Sequence, residues 1–334
     1  MSTVGPDGEP IDPVESLQTL IEAGEVTLSY DPVTGYLPAL LAALDIPLSS
    51  QTLVFSRTSL QTLDIAPWAP RAVYFNDDVY VGMVQESPIL EIASIDPDDG
   101  AVFYTLAQNA EDGPRFSREG TLCLQCHESP VTEKVPGVLV RSTLTDRMGS
   151  MVTVLHEGPV TDRTPMNQRF AGWYVTGTQE GPGHAGNVWA PETHDEIDDK
   201  TRYLEAFDFQ AQNDVTRLDD RFDTSVYLSP HSDLVALLVM THQTRVHNMI
   251  TAAATTAADA LRQQEAIVRS TGEEPPADGL FPAARGMIDH AVDRLVREMM
   301  FVGEAPFGGR VRGTSAFAEE FQARGPKDSK GRSL

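Results

Sequence analysis

The chain has 334 residues, 41% of them hydrophobic, and a formal net charge of −24 at pH 7. That is enough apolar material for one large domain or two smaller ones, and a balance so acidic sets aside DNA, RNA and anionic lipid, all polyanions, as partners. No run of 18 apolar residues occurs, so no membrane-spanning helix is expected.

Residues 1–10 are polar, with no basic start and no apolar stretch, and do not have the makeup of a signal peptide. Asp12-Pro13-Val14-Glu15 predicts a helix start, with Asp as cap, Pro at the first position and Glu three after the cap. Leu17, Leu20 and Ile21 follow on one face, and Gly24 ends it. A second short apolar helix is expected over 36–44. The character then changes. Residues 53–55, 72–75, 79–84, 88–95 and 101–106 are short β-branched or aromatic runs separated by turn signals, among them Asp96-Pro-Asp-Asp-Gly100. They predict an antiparallel sheet over 50–107.

Further strands are expected at 137–141, 151–155 and 172–176, followed by a glycine-rich loop over 181–187 and a polar, acidic stretch over 191–225. The last third is helical by its spacing. Ser229 and Pro230 suggest a cap and first position for a long helix, and Val235, Val239, Val246, Met249 and Ala253 recur along it at helical spacing. Gly272-Glu-Glu-Pro-Pro276 breaks it, and a second helix over 282–300 carries Ile288, Val292, Leu295 and Met299 on one stripe. The fold class is α+β: a mixed helix and strand region over 1–228, a helical region over 229–303 packed on it, and an irregular tail over 304–334, in a chain that has the look of a mature form or a fragment.

Both cysteines of the chain fall in one pentapeptide, Cys123-Leu124-Gln125-Cys126-His127. C-x-x-C-H is the attachment sequence of c-type haem: two thiols one helical turn apart each add to one vinyl group, and the adjacent His takes the iron. Half of a zinc site would want a second pair of N or S ligands at regular spacing, and no further Cys and no H-x3-5-H pair at a finger-like distance exists. A thioredoxin-type pair would want a strand before it and a sustained helix after it, whereas Glu128-Ser-Pro130 ends the local helix at once. The expectation is one covalent haem c on Cys123 and Cys126, with His127 as proximal iron ligand. Covalent attachment implies maturation in a periplasm or other exported compartment.

The opposite side of the iron decides the chemistry. His242, on the apolar stripe of the long helix, and His184, in the glycine-rich loop, are the candidate distal ligands or distal-pocket residues. His247 lies five residues beyond His242, near 140° around the helix, and is read as structural. Met148, Met151 and Met166 are thioether candidates, though methionines more often fill space. His156, His194, His231 and His290 have no distinguishing context. Arg118 and Arg141 flank the motif as candidate partners of the haem propionates, and Arg245 lies between the two helix histidines. The acidic clusters Asp195-Glu196-Asp198-Asp199 and Asp219-Asp220 lack the alternating ligand loop of a calcium site and read as solvated faces.

Five stretches taken together, Tyr74-Phe-Asn-Asp-Asp-Val-Tyr-Val-Gly82, Val102-Phe-Tyr-Thr-Leu106, Cys123 to His127, Gly172-Trp-Tyr-Val-Thr-Gly177 and Val239-Met-Thr-His-Gln-Thr-Arg-Val-His-Asn248, resemble a family of exported bacterial cytochrome c-like proteins with a single C-x-x-C-H. The resemblance covers most of the chain. It implies covalent haem at Cys123 and Cys126 with iron on His127, and brings no reaction with it. The chain departs from the family pattern at Thr178-Gln179-Glu180, where relatives tend to carry an extra His, and at Thr241, where they tend to carry Glu before the helix His.

A monohaem electron-transfer protein, exchanging electrons with a redox partner protein, is the first functional expectation. A peroxidase-like enzyme acting on a small oxidant is the alternative, with His242 or His184 as acid/base and Arg245 stabilising developing charge. A haem-based sensor is the third.

Overall fold

A computed structural model describes residues 12–193, 207–327 and 329–331. The first helix, α1 (Pro13–Glu22), begins as its sequence dictates: the Asp12 carboxylate accepts from the Val14 and Glu15 amides, and Pro13 fills the first position. α2 (Leu37–Ala43) follows. Then come β1 (Thr52–Val54), β2 (Arg71–Phe75), β3 (Val79–Met83), β4 (Ile89–Asp96), β5 (Gly100–Ala107) and β6 (Phe116–Glu119). With β9 (Trp173–Tyr174) they form one antiparallel sheet in the order β6-β5-β4-β3-β2-β1-β9. The expected sheet over 50–107 is present, extended by β6 at one edge and β9 at the other.

The register explains the core. Leu53, Ala72, Met83, Leu90, Leu106 and Phe116 lie in one row across six strands, with Tyr74, Val81, Ile92 and Tyr104 in a parallel row on the same face. This face packs against Val14 and Leu17 of α1 and Leu37, Leu40 and Leu41 of α2. The opposite face carries Val54, Val73, Phe75, Tyr80, Ala93 and Phe103 and packs against Val140, Phe170, Leu234, Leu237 and Met240. Because both faces are covered, strands such as β3 are buried at every position. This is why they appear in the sequence as continuous apolar runs rather than as alternation.

After β6 come α3 (Thr121–His127), the hairpin of β7 (Thr143–Thr145) and β8 (Met151–Val154), and β10 (Gly177–Gln179). Residues 137–141, expected as a strand, form none. Their backbone is held instead by the Asn248 side chain on Val138, by bonds between Gly137 and His127, by a bond from Val160 N to Val140 O and by one from the Trp173 ring N–H to Arg141 O.

The long helix α4 spans Leu234–Thr271 and is followed by α5 (Pro282–Met299), which packs along it. The cap of α4 is Asp233, not Ser229, and Pro230 stays outside the helix. Residues 229–232 are held outside the helix by tertiary bonds: the Gln51 amide donates to the Ser229 and His231 carbonyls, and the Ser232 hydroxyl donates to Tyr174 O. The buried stripe of α4 also differs from expectation. It runs through Leu237, Met240, Thr241, Thr244 and Asn248, while Val235, Val239 and Val246 are half-buried. On α5, Ile288 and Leu295 are half-buried, whereas Val292 and Met299 of the expected stripe are exposed. The segment after 303, irregular by its sequence, contains β11 (Val311–Gly313) and α6 (Phe317–Arg324). β11 pairs with β10, and Phe317 is buried in the second core cluster. Among the described residues no helix is long and apolar enough to cross a membrane.

Candidate functional site

Polar residues interrupt the second face of the sheet in one place. Gly82, Glu91 and Thr105 occupy one cross-strand row, and Arg71 reaches over Gly82 to pair with Glu91 at 2.7 Å. A Cβ at Gly82 would collide with the Arg71 guanidinium, so glycine is what lets that side chain lie across the sheet. The next residue in the row, Thr105, donates to Glu119 at 2.8 Å. Arg71 Nε and Glu91 Oε1 are buried without a hydrogen-bond partner among the described residues. Unpartnered buried groups mark a place where a further polar group fits.

α3 sits beside this row. Gly120 precedes it, and none of its residues is fully buried. Cys123, Cys126 and His127 fall at i, i+3 and i+4, which puts them on one side of the helix. Cys123 and Leu124 pack at the edge of the second core cluster, Cys126 is exposed, and both thiols are free. The His127 ring lies 4.6 Å from the Phe103 ring. Its Nδ1 lies 2.8 Å from the Gly137 carbonyl, which makes Nδ1 the protonated nitrogen and leaves the lone pair on Nε2. Burial pushes the His127 imidazole below its ordinary range, so the ring is neutral at pH 7, as a metal ligand must be. Burial, followed by the nearby Glu119 and Glu91 charges, pushes the Cys123 thiol up. A reactive redox cysteine needs the opposite shift.

A cleft of about 280 Å³ opens beside the start of α3, walled by Phe103, Arg118, Glu119, Gly120, Leu124 and Pro136; Cys123, Cys126 and His127 are not among its walls. It lies near the lower end of ligand-pocket sizes, about 300–1,000 Å³. Arg118 stands on its wall, exposed and paired with Asp99 at 2.9 Å. Arg141 is exposed, and its charge, like that of Arg71, acts on the His127 ring. Residue types, helix spacing, ring tautomer and neighbouring cations all fit a thioether-bound haem. Arg71 and Glu91 are the site residues that sequence reasoning missed. The available signal was a Gly and two polar residues, Gly82, Glu91 and Thr105, inside otherwise apolar strands.

The turn after α3 is fixed to the helices. The Thr132 hydroxyl lies 3.0 Å from Ser129 N and 2.9 Å from Val135 O. Glu133, in a left-handed conformation at φ +62°, pairs with Arg245 and with Arg294, each at 2.7 Å. Arg245 also approaches Glu298 at 3.6 Å. Those two cations hold the Glu133 carboxyl below its usual range against the opposing effect of burial.

The remaining candidates lie in other contacts. His242 hydrogen-bonds Asp162 through Nδ1 at 2.6 Å and stacks on Phe301, with ring centroids 4.1 Å apart. His184 is 1% exposed, and its Nδ1 accepts from the Gly186 amide. His247 meets the Tyr80 hydroxyl at 3.3 Å. Met166 is buried in the second core cluster, Met148 is half-buried and Met151 is exposed on β8. His156 and His231 are half-buried, and His290 is exposed. His194 and the cluster of Asp195, Glu196, Asp198 and Asp199 lie outside the described residues, while Asp219 pairs with Arg217. Among the described residues no three His, Cys, Asp or Glu side chains converge as a metal site.

Burial pushes both His184 and His247 down to about 4. An unfolded chain titrates its histidines near 6.5, so on acidification the unfolded state binds protons first. The stability contributed by the two neutral rings is full above about pH 6.5 and is lost progressively between about 6.5 and 4. Urea unfolding at pH 7 and pH 4.5 will show this loss. It will be smaller in His184→Asn, whose Oδ1 replaces Nδ1 as acceptor of the Gly186 amide; an equal loss in the variant refutes the assignment to His184.

A scan against protein-family models, a search of curated proteins and a search of solved structures each found no match. What the site does is therefore argued from its own residues.

Proposed function

We propose that the protein is a monohaem c-type cytochrome that transfers single electrons in a periplasm or other exported compartment. The observation that carries this reading is the C-x-x-C-H helix itself. It has a neutral His127 oriented through Nδ1, a raised Cys123 thiol, and a Cys126 open at the surface. Cys123 and Cys126 would hold a haem by adding S–H across its two vinyl groups, sulfur to one carbon and hydrogen to the other, with no net oxidation. A haem held here supplies a one-electron Fe(III)/Fe(II) couple.

The chain's own part is to hold and tune. His127 Nε2 would ligate, Phe103 and Leu124 would give apolar contact, and Arg141 would offer positive charge to the propionates, Arg118 and Arg71 being paired with Asp99 and Glu91. Leu122, 58% exposed, and Cys126 put one edge of the motif at the surface, where a partner can approach within electron-transfer range. The acidic chain favours a basic redox partner. Electron transfer is preferred to peroxide chemistry because Arg245, the candidate for stabilising charge on bound peroxide, is held by Glu133 and Glu298.

The test is maturation of the chain in a host that attaches haem c. The expected product is coloured, retains its colour after denaturation, and has the mass of the polypeptide plus one haem. Its ferric form takes up and gives back a single electron, and its spectrum is indifferent to hydrogen peroxide. A colourless product with the bare polypeptide mass overturns the haem reading. A ferric spectrum that responds at once to peroxide overturns electron transfer in favour of the enzyme.

A further inference from the structure

We propose that Asn248, in the middle of α4, is a positioning residue that sets the redox potential of the iron by holding the acceptor of the His127 ring proton. The inference rests on the haem reading above. Asn248 is 2% exposed, and its side chain makes a two-way clamp on one residue: Oδ1 accepts from Val138 N, the amide of the peptide unit that carries the Gly137 carbonyl, at 3.1 Å, and Nδ2 donates to Val138 O at 2.8 Å. The residue before, Gly137, has no room for a side chain, because a Cβ there would collide with the Asn248 carboxamide. The Gly137 carbonyl takes the His127 Nδ1 proton at 2.8 Å, and the Gly137 amide donates back to the His127 carbonyl at 2.8 Å. The segment 137–138 belongs to no strand. The Asn248 clamp therefore takes the place of a ladder in fixing where that carbonyl points.

The chemistry follows from the ring. A well-aligned Nδ1–H···O=C bond makes imidazole a stronger donor through Nε2 and stabilises the ferric state more than the ferrous. A carbonyl that drifts weakens the bond and favours Fe(II). Asn248 touches neither His127 nor the cysteines in any hydrogen bond, so its effect on the iron runs through Val138 and Gly137.

The experiment compares the holoprotein with Asn248→Ala, Asn248→Leu and, as a control, Thr244→Ala. Thr244 is buried on the same helix, and its hydroxyl donates to Thr241 O. Covalent haem content is measured first, then the midpoint potential. In haem-loaded protein the potential rises in both Asn248 variants and stays at the wild-type value in Thr244→Ala, even where all three unfold more easily. A full haem load with an unchanged potential in the Asn248 variants overturns this inference and leaves the cytochrome reading standing. Absence of haem from the wild type overturns the cytochrome reading itself. In the wild type the Asn248 carboxamide protons exchange slowly with solvent, and fast exchange also overturns the inference, so the test does not depend on either variant folding.

Discussion

On the cytochrome reading proposed above, replacing Cys123 and Cys126 together by serine is expected to abolish covalent haem and to leave the rest of the chain folded. The two outcomes separate because of where α3 lies. No residue of this seven-residue helix is fully buried, Cys126 is exposed, and Cys123 reaches only the edge of a core cluster formed by other residues. Serine for cysteine at such positions changes stability by about 0.5 kcal/mol or less. The sulfurs, by contrast, are the only atoms that can make the thioether bonds, and no other cysteine exists in the chain. Denaturing gels stained for haem will show the wild type and not the double variant, while circular dichroism and urea unfolding will be alike for the two apoproteins. Haem retained through denaturation in the double variant would refute the attachment site. Cys126→Ser alone is expected to keep haem through Cys123, with a shifted haemochrome band reporting the remaining vinyl group.

The largest expected loss of stability comes from Asp233→Ala. This side chain is fully buried, and both its oxygens are used. Oδ1 accepts from the Val235 and Ala236 amides and so starts α4. Oδ2 accepts from the Thr314 and Ser315 amides and from the Ser315 hydroxyl, tying the end of β11 and the approach to α6 onto the start of α4. Gly313 sits against the same carboxylate, where a Cβ would not fit. Removing the group takes away a helix cap, about 1 kcal/mol, and leaves further donors buried without an acceptor, about 1–3 kcal/mol each before relaxation. A total of about 3–5 kcal/mol is expected from urea unfolding at pH 7. Proteolysis after 303 is expected to accelerate as well, since the segment from 304 to 327 loses one of its anchors, keeping the β10–β11 pairing and the buried Phe317. A loss below about 1 kcal/mol would show that water or another group satisfies those donors.

Much of the architecture is present locally in the sequence. Asp12 followed by Pro13 specifies the start of α1 through a side chain two residues from the amide that donates to it, and Asp96 to Gly100 specifies the turn between β4 and β5. Such signals survive because the interactions that produce them are short in sequence. The start of α4 is the opposite case. Ser229-Pro230 has the local chemistry of a helix start, but bonds from Gln51 and to Tyr174 hold 229–232 outside the helix, and those partners are more than fifty residues away. Residues 137–141 have strand composition and no strand. Arg71 and Glu91 pair across a sheet whose register no local pattern states.

What the amino-acid sequence determines alone is the chemistry: two cysteines and a histidine in C-x-x-C-H, a repulsive surface for polyanions, and an α+β succession of strand-forming and helix-forming runs. What only the tertiary structure decides is which groups surround that chemistry. It sets Arg71, Glu91 and Phe103 beside the motif, turns Arg245 toward Glu133 and Glu298, and brings Asn248 behind the carbonyl that faces His127. The physical reason is distance along the chain. Covalent reactivity and local propensity belong to neighbouring residues, whereas burial, pairing and ring orientation are set by residues that meet only when both faces of the sheet are covered.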